Sequence, residues 1–106
     1  MSDSKDNIRF EYLFRDEGNY KIFQFVIFSN PERVEIEKFE EKIKEKIHEF
    51  GFFYPSEWNL PLETFNEDEE TSCAEFVELS NTKEEPTVNY SVEQMIFHLQ
   101  SVEKPI

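Results

Sequence analysis

Along residues 8–15, IRFEYLFR, apolar and charged positions alternate: Ile8, Phe10, Tyr12 and Phe14 fall on one side, Arg9, Glu11 and Arg15 on the other. A period of two marks a strand. YKIFQFVIF, residues 20–28, is aromatic and β-branched and reads as a second strand. DEGN between them supplies a turn in which Gly18 can take positive φ. A four-residue loop makes paired positions sum to 35, so Phe10 faces Phe25, Tyr12 faces Phe23 and Ile8 faces Ile27 on one apolar face. A one-residue slip would bring Gln24 onto that face and take Phe23 and Phe25 off it. The same register leaves Leu13, Tyr20, Ile22, Val26 and Phe28 on the other side, beside Arg9, Glu11 and Gln24.

The period then changes. SNPE ends the hairpin, because Pro31 cannot continue a ladder. In EIEKFEEKIKEKIHEF, residues 35–50, Ile36, Phe39, Ile43, Ile47 and Phe50 form one stripe of an amphipathic helix, followed by Gly51 as a helix-ending residue. Residues 52–72 form a long connection holding Pro55 and Pro61. SCAEFVEL, residues 72–79, reads as a third strand, with Ala74 and Phe76 on one face and Val77 and Leu79 on the other. SVEQ fits a capping box with Ser91 at N-cap and Gln94 at N3, and Tyr90 can staple onto Met95. Val92, Met95, Ile96, Leu99 and Val102 then line a final helix. The expected fold is α+β: a β-hairpin plus a third strand in a small antiparallel-containing sheet, packed by two α-helices in the order ββαβα. Residues 1–7 read as a flexible tail and 8–106 as one domain.

Charge narrows the function classes. Of a net −13, residues 57–85 contribute −9, from ten acids and Lys83. Phosphate backbones and anionic membranes need clustered Lys and Arg, so direct nucleic-acid and membrane binding are disfavoured. No apolar run approaches the length of a membrane span. One cysteine forbids an internal disulfide, and the polar start MSDSKDN has no secretory h-region; together they point to the cytoplasm.

The pattern YLFRDEGNYKIFQFVIFSNP, an amphipathic helix, FFYPSEWNLP and a short strand resembles a family of small acidic bacterial proteins. Members share a Y-R-D-x-x-N-Y-K start, an S-N-P before the helix and an F-F-x-P-E-x-x-x-P segment after it. The resemblance covers about residues 11 to 80 and implies no established activity, hence no catalytic residue. Similar proteins carry Trp where this chain has Cys73, which marks that position as a packing site.

The chemistry that the residues themselves offer is limited. A calcium loop begun at Asn66 would need Gly at its sixth position and Glu at its twelfth; Thr71 and Val77 stand there. One Cys and two distant His give no zinc spacing. Cys73 is surrounded by acids that disfavour thiolate, so an inert cysteine is the better reading. His48 reads as a surface residue and His98 as partly buried and hydrogen-bonded. The two glycines are used by a turn and a helix end, leaving no phosphate-binding loop. No catalytic residue, metal or cofactor is therefore expected.

Binding is the class that survives. Tyr54, Glu57, Trp58, Glu63, Glu67, Asp68, Glu69 and Glu70 are the candidate contacts for a basic protein partner: aromatic anchors amid acids. The blander alternative is that the rings cap the second sheet face and the acids form a solvated loop. A second functional expectation is a structural protein or homodimer that self-associates through the apolar second face, at Tyr20, Ile22, Val26 and Phe28.

Overall fold

A computed structural model of the protein describes residues 6–15, 21–48, 51–58, 60 and 74–102. The chain runs β1 (Asn7–Arg15), β2 (Lys21–Phe28), α1 (Ile36–Lys44), β3 (Phe52–Phe53), a 3-10 helix (Pro55–Trp58), β4 (Ala74–Thr82) and α2 (Val92–Leu99). This is the expected α+β fold, with the short β3 added. The four strands are antiparallel in the order β2-β1-β4-β3. Neither helix is long and apolar enough to cross a membrane.

The hairpin forms, but in a different register. Ile8 pairs with Phe28, Phe10 with Val26 and Tyr12 with Gln24, one residue away from the expected pairing. Val26 and Phe28 therefore join Ile8, Phe10, Tyr12 and Phe14 in the core, while Phe23 and Phe25 are 63% and 40% exposed. The reason lies in where the helices press. They cover the Ile8–Phe10 and Val26–Phe28 end of the ribbon, where Phe28 packs edge-on to Phe39 at 5.6 Å and against Tyr90 at 5.6 Å. Gln24 does lie on the inner face, as a slip requires, but it is only half-buried, so its amide is not stripped of water. The connecting residues 16–20 lie outside the described set, as do residues 1–5 of the flexible tail expected at 1–7, while Asn7 begins β1.

β4 also departs from simple alternation. Its pairing with β1 shifts between Glu11 and Tyr12. That bulge inserts Val77 and turns Leu79 to the inner side with Phe76, where both pack against the core. The expected split of Phe76 and Leu79 onto opposite faces is thereby corrected.

α1 is shorter than its stripe. The helix ends at Lys44, yet Ile36, Phe39, Ile43 and Ile47 all pack in or against the core. Gly51 does take positive φ, at 93°, but in the turn that feeds β3 rather than at the helix end. There its carbonyl accepts the Phe76 N–H at 3.3 Å. Phe50 is outside the described residues.

α2 begins as its sequence dictates. Ser91 Oγ accepts the Gln94 N–H at 3.2 Å, and the Gln94 side-chain carbonyl accepts the Ser91 N–H at 2.8 Å. Such a cap is worth about 1 kcal/mol. Val92, Met95 and Leu99 are buried in the core, where α2 meets α1 and the 3-10 helix, and Phe97 points away, 75% exposed. Lys46 Nζ donates to the Val102 carbonyl at 2.8 Å, tying the end of α1 to the end of α2.

A buried asparagine controls the entry to α1. Asn30 Oδ1 accepts the Val34 N–H and its Nδ2 donates to the Val34 carbonyl, both at 2.9 Å. Arg33, within that loop, sits at φ 57°, a conformation that a non-glycine residue adopts only when its surroundings hold it there. The S-N-P motif thus has a structural use: Asn30 clamps the turn and Pro31 ends the ladder.

Candidate functional site

Of the eight candidate contacts, Tyr54, Glu57 and Trp58 lie among the described residues, and these three do not form one surface. Trp58 is 1% exposed and stacks on Phe53 with ring centroids 4.4 Å apart, so it is a core residue and not an anchor for a partner. Phe53 is buried beside it, between the sheet and the 3-10 helix, not on the second face. Glu57 is exposed on the helical side, where its carbonyl accepts a hydrogen bond from His98 Nε2 at 2.8 Å. Tyr54 is half-buried, edge-on to Phe52 at 5.9 Å. Glu63, Glu67, Asp68, Glu69 and Glu70 lie outside the described residues, as does Cys73.

The self-association face changes as well. Val26 and Phe28, expected on it, are in the core; Ile22 is on the inner face and Tyr20 lies outside the described residues. Among the described residues, the exposed large apolar side chains of the sheet are Phe23 and Phe25.

What the strands do assemble is a pair of rungs on the face turned away from the helices. Cα partners in an antiparallel sheet place their side chains on the same side. Phe25, Glu11 and Glu78 form one rung, across β2, β1 and β4. Phe23, Leu13, Glu75 and Phe52 form the next, across all four strands. The acids sit in the middle, with aromatic rings at both ends. His48 stacks on Phe52 at 4.3 Å, extending the aromatic end.

Glu11 and Glu78 stand directly opposite each other, an arrangement that costs stability when nothing offsets it. Arg9 is the nearby base. Its Nε meets Glu11 at 2.8 Å, its guanidinium lies 4.0 Å above the Phe25 ring, and Nη1 reaches Glu84 at 3.4 Å. Glu78 has no cationic partner among the described residues. The face therefore already accommodates one cation, against both a carboxylate and an aromatic ring, and leaves a carboxylate over.

Residues 83–87 close one end of this face. The Glu84 carbonyl accepts from Asn7 Nδ2 at 2.7 Å, and Thr87 then hydrogen-bonds Ile27 on the outer edge of β2, through its N–H and its Oγ1, both at 2.9 Å. Lys83 pairs with Asp6.

On the helical side, a shallow groove of about 1050 Å³ separates α1 from α2, lined by Arg33, Lys38, Lys42, Glu93 and Phe97 among others. Its charges are mixed, and no nucleophile and base meet there. Among the described residues no three His, Cys, Asp or Glu side chains are grouped to hold a metal ion. Burial raises the Tyr90 hydroxyl above its ordinary pKa, which keeps it neutral where it packs against Phe28.

Sequence reasoning missed Glu11, Glu75 and Glu78 as a group. The signal was present in the spacing of acids at outward positions of two strands, but only the pairing of β1 with β4 brings them together. No protein-family model, curated protein or solved structure matches the chain.

Proposed function

We propose that the protein is a non-enzymatic acidic binding module that engages a basic protein partner through the sheet face bearing Glu11, Glu75 and Glu78. The observation that carries this reading is the opposed Glu11–Glu78 pair, with Glu75 on the adjacent rung and phenylalanine rings at both ends. An incoming Arg or Lys relieves the repulsion between the two acids and can lie on Phe25 or Phe52 in the manner of Arg9. The acids at 63–70 add negative charge to the same chain and raise the association rate with any basic surface. A cytoplasmic regulator, an immunity-like inhibitor and a mimic of nucleic-acid charge all meet this description.

The test is titration of a fluorescent arginine-rich peptide against two variants of equal net charge. Glu11→Gln/Glu75→Gln/Glu78→Gln should lose about tenfold in affinity and show a flatter salt dependence. Glu37→Gln/Glu41→Gln/Glu93→Gln, altering exposed acids on the helices, should lose no more than about twofold. Equal losses in the two variants, or affinity indifferent to ionic strength, would remove this reading.

A further inference from the structure

We infer that β2 is a self-pairing edge: two copies of the chain join antiparallel along Lys21–Phe25, making one continuous sheet across the dimer. β2 is the outermost strand, next to β1 alone. Thr87 takes both the Ile27 N–H and the Ile27 carbonyl, so those groups point away from β1. By the two-residue repeat of a strand, the N–H and carbonyl groups of Phe25, Phe23 and Lys21 point the same way. Among the described residues nothing pairs with them.

Folded proteins guard such edges with charges, proline or a covering loop. Among the described residues the cover reaches only the Ile27–Ser29 half, through Thr87 and a bridge from Ser29 to Ser91. The uncovered half carries exposed Phe23 and Phe25, with Lys21 at its start as the single charged guard.

Two features select a second copy as the occupant. The uncovered window is centred on Phe23, so a two-fold axis there sets Phe23 opposite Phe23 of the second copy and Lys21 opposite its Phe25. Each pair exchanges both main-chain hydrogen bonds, and none of the outward groups is left over. The four phenylalanine rings then share one face, each lysine beside a ring.

The second feature is charge. In a protein of net −13, residues 20–31 contain no acid and one base, Lys21. The strand is thus a place where two such anionic molecules can touch without opposing carboxylates. The exposed ring surface is roughly 200 Å² per copy, small for a permanent interface, so the dimer is a transient one with a micromolar dissociation constant.

Sedimentation velocity of the full chain over a wide concentration range tests this. The expected result is a monomer–dimer equilibrium that strengthens with added salt, which screens the repulsion between copies. That sign is opposite to the salt dependence of basic-partner binding, so the two readings fail separately. Phe23→Pro deletes an N–H that faces outward and leaves the β1 ladder intact; it should weaken dimerisation at least about tenfold with an unchanged far-ultraviolet circular dichroism spectrum. Should proline disturb folding, Phe23→Lys replaces it, setting like charges on the axis. Phe23→Cys in a Cys73→Ser background should form an intermolecular disulfide, since hydrogen-bonded partners have Cα atoms about 5.5 Å apart. A monomer at all concentrations and salts overturns the proposal, as does a dimer that neither Phe23→Pro nor Phe23→Lys weakens.

Discussion

Phe10→Ala should lower the melting temperature by about 15 °C or more and leave the protein marginally folded at room temperature. Phe10 has no exposed surface, and its ring meets those of Tyr12, Phe28, Phe53, Trp58 and Phe76 at centroid distances between 5.5 and 6.3 Å. Those five rings come from all four strands and the 3-10 helix, so Phe10 is where the hairpin, β4 and the 52–60 segment are joined. Truncating a buried phenylalanine costs about 3–5 kcal/mol, from lost burial and the cavity left behind. A domain of this size is stable by only about 5–15 kcal/mol, so the loss is a large share of the total. Phe97→Ala is the matched control. Its ring is 75% exposed, and its removal should change stability by no more than about 0.5 kcal/mol. Thermal denaturation followed by near-ultraviolet circular dichroism reads both, and equal effects from the two substitutions would show that Phe10 is not at the centre of the core.

Ile43→Asp should be more severe and abolish the cooperative transition altogether. Ile43 is fully buried on α1, beneath the contacts that α1 makes with α2 and β4. The substitution removes about 1.5–3 kcal/mol of burial. It also places a carboxylate where, among the described residues, no base is buried to meet it, a further penalty of several kcal/mol. Undocking α1 exposes Phe28 and Phe39, whose rings pack together at 5.6 Å. The expected signature is retained far-ultraviolet ellipticity in part, a flat near-ultraviolet spectrum and loss of a sharp melt. Ile43→Val, which keeps the position apolar, should cost only about 0.5–1.5 kcal/mol. A sharp melt in Ile43→Asp would mean that the stripe read from the sequence does not dock the helix.

These two positions were legible in the sequence because each belongs to a one-sided pattern. Alternation in IRFEYLFR leaves Phe10 one face to choose, and the helical stripe does the same for Ile43. The Ser91–Gln94 box was legible for a related reason: its two hydrogen bonds lie within four consecutive residues. β2 was not, because KIFQFVIF is apolar on both sides, and period two then says strand without saying which face is in. The choice falls to tertiary packing, in which Phe28 fits between Phe39 and Tyr90 and Phe23 and Phe25 are left outside. The bulge at Val77 has no local marker, and β3, at two residues, is too short to show a period.

The candidate site follows the same division. Tyr54 and Trp58 are near neighbours in a segment rich in aromatics and acids, yet one is half-buried beside Phe52 and the other is sealed in the core. Composition could not separate them. Glu11 and Glu78 are far apart in the chain and meet only through strand order. Charge totals locate an acidic stretch; pairing decides which carboxylates stand together.

Everything proposed for the outer face and for the β2 edge depends on the register of β1 against β2. The direct test is a nuclear Overhauser spectrum of the isotopically labelled protein. Close Hα–Hα contacts should appear between Arg9 and Ile27, Glu11 and Phe25, and Leu13 and Phe23, the non-hydrogen-bonded pairs of this ladder. Contacts linking Phe10 with Phe25 and Tyr12 with Phe23 instead would turn Phe23 and Phe25 inward and contradict the account.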